Sequence, residues 1–235
     1  MPDTVTASED YALRFSGDAG AYLLSVQAQS IAAMVDVYPA IGAGAKILDH
    51  AGTHGQLAEL LEQRGYLRTV SASKIDLVDR SQAHSPKIVG KLDAMPVADK
   101  SFDAVVTVRL LAHVDDLDSA VREMCRLAQK TVIVDYPSMR SINFFSRWLF
   151  KYKKRIERDT RQFVSVSDRH LDRIFAEHGF KLVARQQQFA IPMALHRALG
   201  DSKVLRFVER TARAIGITRL IGNPVVARFD RLTIE

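Results

Sequence analysis

The residues best placed to do chemistry stand in "AKILDHAGTHGQLAELL", Ala45 to Leu61. A short run ending in Leu48 meets Asp49. A loop with Gly52 and Gly55 follows, and a helical pattern begins near Gln56. A helix start carries backbone N–H groups that have no partner in the helix, and glycine lets a ligand approach the chain closely. That is the layout of a nucleotide-binding turn, with Ala51 and Thr53 where further glycines are expected. His54 lies inside the loop, as a ligand contact or as an exposed loop histidine. Other chemistries lack their residues. No His, Cys, Asp and Glu cluster has metal-ligand spacing. No Gly-Lys-Ser/Thr loop and no Gly-x-Ser-x-Gly elbow occurs. Cys125 is the single cysteine, which excludes an internal disulfide and fits a reducing cytoplasm.

The elements that must position this loop alternate. "KILDH" reads as a strand and "GQLAELLEQRG" as a helix stopped by Gly65. "YLRTVSAS" and "KIVGKLD" read as strands two and three, with a weak helix, "KIDLVDRSQAH", between them. "FDAVVTVRL" is apolar through its middle, as a strand buried on both faces should be. "DLDSAVREMCRLA" puts Leu117, Ala120, Val121, Met124 and Leu127 on one helical face, and "KTVIVDY" is strand five. This rhythm predicts an α/β fold with a mostly parallel sheet and helices on both faces. Ligands of such sheets sit beyond the strands' carboxyl ends, which points back to the loop after strand one.

Upstream, 19–37 reads as an amphipathic helix. Downstream, "SDRHLDRIFAEHGF" is a helix between Ser167 and Gly179, and "KLVARQQQFAI" a strand. Pro192 to Gly222 is helical in pattern, broken near Gly200 and Gly216, and "NPVVARFDRLTI" is the last strand. A seven-stranded sheet follows, with the last two strands as an antiparallel edge pair. The division is one domain, with 1–40 as an N-terminal helical lid, 41–137 as a ligand-binding core and 138–235 as an acceptor-side half.

The net charge is +6, with 33 basic and 27 acidic side chains, which favours anionic partners. Between Arg147 and Arg161 lie seven basic residues and two acids, interleaved with Trp148, Leu149 and Tyr152. The N-terminal residues lack the pattern of a signal peptide, and no apolar run approaches the length of a membrane span.

The later motifs decide among nucleotide-binding turns. Asp93-Ala94 precedes Met95-Pro96-Val97, Asp99 and Ser101-Phe102-Asp103. Then come Leu111 and His113, Asp115-Asp116, Glu123 and Arg126-Leu127. In this order they resemble the class I S-adenosylmethionine-dependent methyltransferases, in particular the type-11 methyltransferase domain, clearly over 45–137. The resemblance implies a Rossmann-like sheet and S-adenosylmethionine as cofactor. Asp49, Ala51, Gly52, Thr53 and Gly55 would pass its methionine part. Asp93 would accept the adenine amino group and Ala94 would lend an N–H to the ring. Arg109 and Leu110 would flank the sulfonium. The family's ribose-binding acid is missing at the end of strand two. Ser71, Ala72 and Ser73 stand there, so Ser71 is the candidate for a weaker ribose contact. With Ala51 at negative φ, Gly52 would do the turning.

For the methyl acceptor, His113 is a candidate general base or a structural histidine. Tyr136 would orient the acceptor or pack on the adjacent helix. The expected acceptor is a small or lipid-like molecule, met by the lid (Tyr11, Arg14), by 144–161 and by the 192–222 insertion. An anionic-membrane contact through 144–161 is one reading of that segment, and a helix burying its aromatics is the other. A homo-oligomer fits the sequence as well. A catalytically altered binding protein is the alternative function, and an RNA methyltransferase a weaker one, because no RNA-binding module accompanies the charge.

Overall fold

The computed structural model describes residues 2–52, 54–79, 85–139, 165–200 and 202–232. Thr53 and the aromatic-basic segment 144–161 lie outside them. The strands are β1 Lys46–His50, β2 Leu67–Ala72, β3 Lys87–Val89, β4 Phe102–Thr107, β5 Ala128–Tyr136, β6 Phe180–Phe189 and β7 Asn223–Arg231. They form one sheet in the order β3-β2-β1-β4-β5-β7-β6. Neighbours are parallel except β7, which runs antiparallel to both β5 and β6. The expected edge pair is therefore present, with β6 outermost.

The helices are α1 Pro2–Thr6, α2 Glu9–Leu13, α3 Gly17–Asp36, α4 Ala58–Gln63, α5 Ile75–Asp79, α6 Leu117–Leu127, α7 Asp168–Glu177, α8 Met193–Leu199, α9 Lys203–Ala214 and α10 Ile217–Ile221. The strand pleat sends alternate residues to opposite faces. Leu48, Val105, Val132 and Val134 pack on one face with Phe175 of α7, whose ring stacks on Phe229 at 3.8 Å between centroids. Ile47, Ala104, Val106 and Ile133 pack on the other with Ile31, Met34 and Val35 of α3 and Leu61 of α4. No described helix is long and apolar enough to cross a membrane.

Two elements are shorter than the sequence pattern predicts. α4 starts at Ala58 rather than near Gln56, because the preceding residues turn, with the Ala58 N–H on the Gly55 carbonyl. β3 stops at Val89, where the chain leaves the sheet at Gly90. A Cβ there would meet Pro96 Cδ at 2.4 Å.

One side chain of the sheet caps the carboxyl end of α3. Arg228 of β7 is buried and donates to the carbonyls of Met34 (2.9 Å), Val37 (2.7 Å) and Pro39 (2.6 Å) while pairing with Asp230. Met34 lies in the last turn of α3, whose carbonyls lack helical partners, and Val37 and Pro39 follow it.

Candidate cofactor site

The strand order reverses between β1 and β4, so a crevice opens past their carboxyl ends. β1 leads into it with Asp49, whose carboxylate is buried against Arg68 of β2 at 2.6 Å. Burial pushes the Asp49 carboxyl up, and the guanidinium opposes that shift. This pair fixes the loop. A Cβ on Gly52 would lie 2.2 Å from the Asp49 carboxyl, so only glycine fits there. The turn itself differs from the expectation. Ala51 has φ +62°, in the left-handed region, and Gly55 follows at +63°. Gly52 supplies room, whereas Ala51 does the turning and hands its N–H to the Ser71 carbonyl.

His50 ties the loop to its neighbours. One ring nitrogen meets the Leu92 carbonyl at 3.0 Å and the other the Ser71 hydroxyl at 2.8 Å. A carbonyl only accepts, so Nε2 carries the proton and Nδ1 accepts from Ser71. Burial lowers the pKa of this imidazole. Leu92, Ala51 and Leu110 then pack together. The 93–99 turn beyond Leu92 is clamped from α6. Glu123 accepts the Met95 N–H at 2.7 Å, and Arg126 donates to Glu123, Asp99 and the Met95 and Val97 carbonyls. The spacing of three places both side chains on one helix face. This is the structural use of the Glu-x-x-Arg motif.

On the β4 side, Arg109 also has positive φ, +62°. Its N–H meets Asp135 of β5, and its guanidinium donates to Gln27 of α3 (2.9 Å) and to Gln56. The Phe15 ring lies 3.8 Å beneath the guanidinium carbon. Asp135 also accepts from Gln27 at 2.7 Å. Burial pushes its carboxyl up to about 6, against the opposing pull of the Arg109 N–H, the Arg109 charge and Gln27.

The N-terminal segment covers this floor. Asp3 is fully buried and accepts from the Ser73 N–H (2.6 Å) and hydroxyl (2.7 Å) at the end of β2. The His54 ring reaches the Thr6 carbonyl at 3.0 Å. Ala7 packs on Ala72, Leu77 and Val78. Thr6, Asp49, Ala51, Gly52, His54 and Arg109 are among the residues around what remains, a cavity of about 20 Å³. That is room for about one water molecule.

Residues 48–134 match the family model described as a methyltransferase domain. Over these residues the chain carries a methyltransferase domain. Solved structures share the fold. A methyltransferase from Thermotoga maritima is 14% identical with TM-score 0.63, over 99% of this chain and 100% of that one. Geranyl diphosphate C-methyltransferase from Streptomyces coelicolor A3(2) is 14% identical with TM-score 0.63, over 88% and 79%. Magnesium protoporphyrin IX methyltransferase from Synechocystis PCC 6803, solved with S-adenosylhomocysteine, is 12% identical with TM-score 0.61, over 92% and 88%. No curated protein matches the chain significantly.

The methyltransferase domain brings Asp49, Ala51, Gly52 and Arg109 to one opening. Other sequence-derived candidates stand differently. The Ser71 hydroxyl is spent on His50, in a fully buried position. Asp93 is exposed on the turn after Leu92, and the Ala94 N–H is held by the Lys91 carbonyl. Leu110 is buried against Ala51. Tyr136 is 1% exposed in the core, where its hydroxyl donates to Asp168 of α7 at 3.1 Å. This is the packing alternative, not an open acceptor site. His113 is half-buried after the β4 exit, with its N–H on the Leu110 carbonyl. Asp3, Arg68 and Asp135 were missed. Asp3 stands in a polar, aperiodic stretch that gives no signal, whereas an acid near the end of an apolar fifth strand was visible. Among the described residues, no cluster of His, Cys, Asp and Glu could hold a metal ion.

Proposed function

We propose that this protein transfers a methyl group from S-adenosylmethionine to a small or amphiphilic acceptor in the cytoplasm. One observation carries the reading. The segment that matches the methyltransferase domain sets its glycine loop and its β4 exit around a single opening at the switch point of the sheet. With α1 lifted, the floor fits the cofactor in kind. The backbone of Ala51, Gly52 and Gly55 would hold its methionine end, and the exposed Asp93 would accept from its adenine amino group. Bound, the cofactor supplies an activated methyl on a sulfonium. The protein's own work is positioning and the exclusion of water. His113 is the candidate base for a hydroxyl acceptor. The acceptor class draws on two fold neighbours named for a geranyl diphosphate and a porphyrin.

One observation favours a second reading, a methyltransferase-like binding protein. The cleft holds the protein's own α1, and the space left is about 20 Å³. Calorimetric titration with S-adenosylmethionine and S-adenosylhomocysteine separates the two. The enzyme reading expects saturable binding of both. No heat and no thermal shift at millimolar ligand would sink it.

A further inference from the structure

The cap formed by α8, α9 and α10 shows an unusual outer surface. Half of the large apolar side chains exposed among the described residues lie on it, including Leu199, Val204, Phe207, Val208, Ile215 and Leu220. Along α9 and its C-cap residue Ile215 they form a stripe. Val204, Phe207, Val208 and Ile215 share one helix face, with Phe207 63% and Val204 69% exposed. The helix seats on the body by a different, narrow edge, made of the buried Leu205, Glu209 and Ala212. The wide apolar face of this helix is thus turned outward. A contiguous exposed apolar surface of this kind marks a binding face.

Its charge selects the occupant. Lys203, Arg210 and Arg219 are exposed beside the stripe. The one acid in the described part of the cap, Glu209, is buried against His196 at 3.1 Å. An apolar stripe flanked only by cations is the pattern of a helix lying in the interface of an anionic bilayer. A second copy fits less well, since two-fold pairing would bring the cations of both copies into one interface with no exposed acid of the described cap to balance them.

We propose that the α8–α10 cap docks this protein on the surface of an anionic lipid membrane. Phe207 and Leu220 enter the headgroup boundary, and Lys203 and Arg210 meet lipid phosphates. This proposal stands apart from methyl transfer and from the basic segment 144–161.

Co-sedimentation of the full chain with lipid vesicles tests it. Vesicles of phosphatidylcholine containing roughly a third phosphatidylglycerol should bind at least about ten times more tightly than phosphatidylcholine alone. The F207S/L220S variant replaces exposed side chains, so its melting curve should match the wild type while its vesicle binding falls about ten-fold or more. The K203Q/R210Q variant, which removes no apolar group, should bring binding to anionic vesicles down towards the neutral level. Equal binding to neutral and anionic vesicles overturns the proposal. So does binding that F207S/L220S leaves unchanged, which would place the contact elsewhere in the chain. Light scattering that finds a dimer which F207S/L220S dissociates overturns it too, because a second copy would then cover this face.

Discussion

Two covers lie over the strand exits, and they are built on different principles. Over β6, the cap is seated by a buried pair. Glu209 of α9 accepts from the Ala190 and Ile191 N–H groups at 3.0 and 2.9 Å and meets His196 at 3.1 Å. Tyr22 of α3 and Phe189 close around His196, with ring centroids 5.6 and 5.7 Å away. Over β1 and β2, α1 is seated by Asp3 on Ser73, Thr6 on His54 and the small side chain of Ala7. The first cover combines buried polar bonds with aromatic packing, whereas the second has almost no apolar anchor. A cover held by a few polar bonds can open at modest cost, because water replaces those bonds as it leaves. The difference makes the cap over β6 the firmer cover and α1 the one that opens at the lower cost.

The largest effect should come from breaking the fixed cover. Glu209→Ala leaves two buried N–H groups and His196 without their acceptor, and should cost about 3–5 kcal/mol in urea unfolding. A loss below about 1 kcal/mol would show that the cap is not seated by this carboxylate. Burial does most to set the Glu209 carboxyl upward, but the His196 bond and the two N–H donors outweigh it and hold the pKa low.

Asp135 is bonded to Gln27 of α3, the helix that packs against the cap. Its folded pKa of about 6 lies above the ordinary carboxylate value. Its contribution to stability is therefore fully present below the unfolded pKa of about 4 and is lost as the pH rises through about 6. The stability of wild type relative to Asp135→Asn should fall by about 2–3 kcal/mol between pH 4 and pH 7. Unfolding curves across that range measure it. A gap that widens with pH would mean that Arg109 dominates burial at this site.

These two sites also show what the sequence could carry. The succession of strands and helices, the helix faces and the breaks at Gly200 and Gly216 follow from local periodicity and from residues that stop helices, so they were readable. Motif order pointed to Asp49, Gly52 and Arg109, which the fold brings to one opening. The fastenings were not. Asp3 meets Ser73 across 70 residues and Gln27 meets Asp135 across 108. Neither pair has a local pattern, because a long-range hydrogen bond asks only for one donor and one acceptor. Ser71 was misplaced for the same reason. The histidine that takes its hydroxyl belongs to another strand.

The movable cover gives a third prediction. On the proposed site, S-adenosylmethionine would have to displace the seated α1, so its apparent affinity would be set by the fraction of molecules that are open. Asp3→Ala removes the latch on Ser73. Affinity should rise about ten-fold, with a loss of about 1 kcal/mol in stability. A ten-fold fall instead would recast Asp3 as the ribose-binding acid, carried on the lid rather than on β2. Titration calorimetry on the variant distinguishes the two.

The smallest effect should be at Ala51, one of the two positions where a further glycine is expected. A left-handed alanine costs about 1–2 kcal/mol, which Ala51→Gly would recover. Glycine loses about 0.5–1 kcal/mol through the greater freedom of the unfolded chain. It also forfeits the burial of a methyl group, about 0.8 kcal/mol, since Ala51 is 6% exposed against Leu92 and Leu110. The terms nearly cancel, so Ala51→Gly should lie within about 0.5 kcal/mol of wild type. A gain above about 1.5 kcal/mol would reveal strain stored in the loop. On the predicted result, the alanine is a tolerated turn residue whose methyl joins the floor of the site. The barrier to the cofactor is then the lid above the loop, not the glycine missing within it.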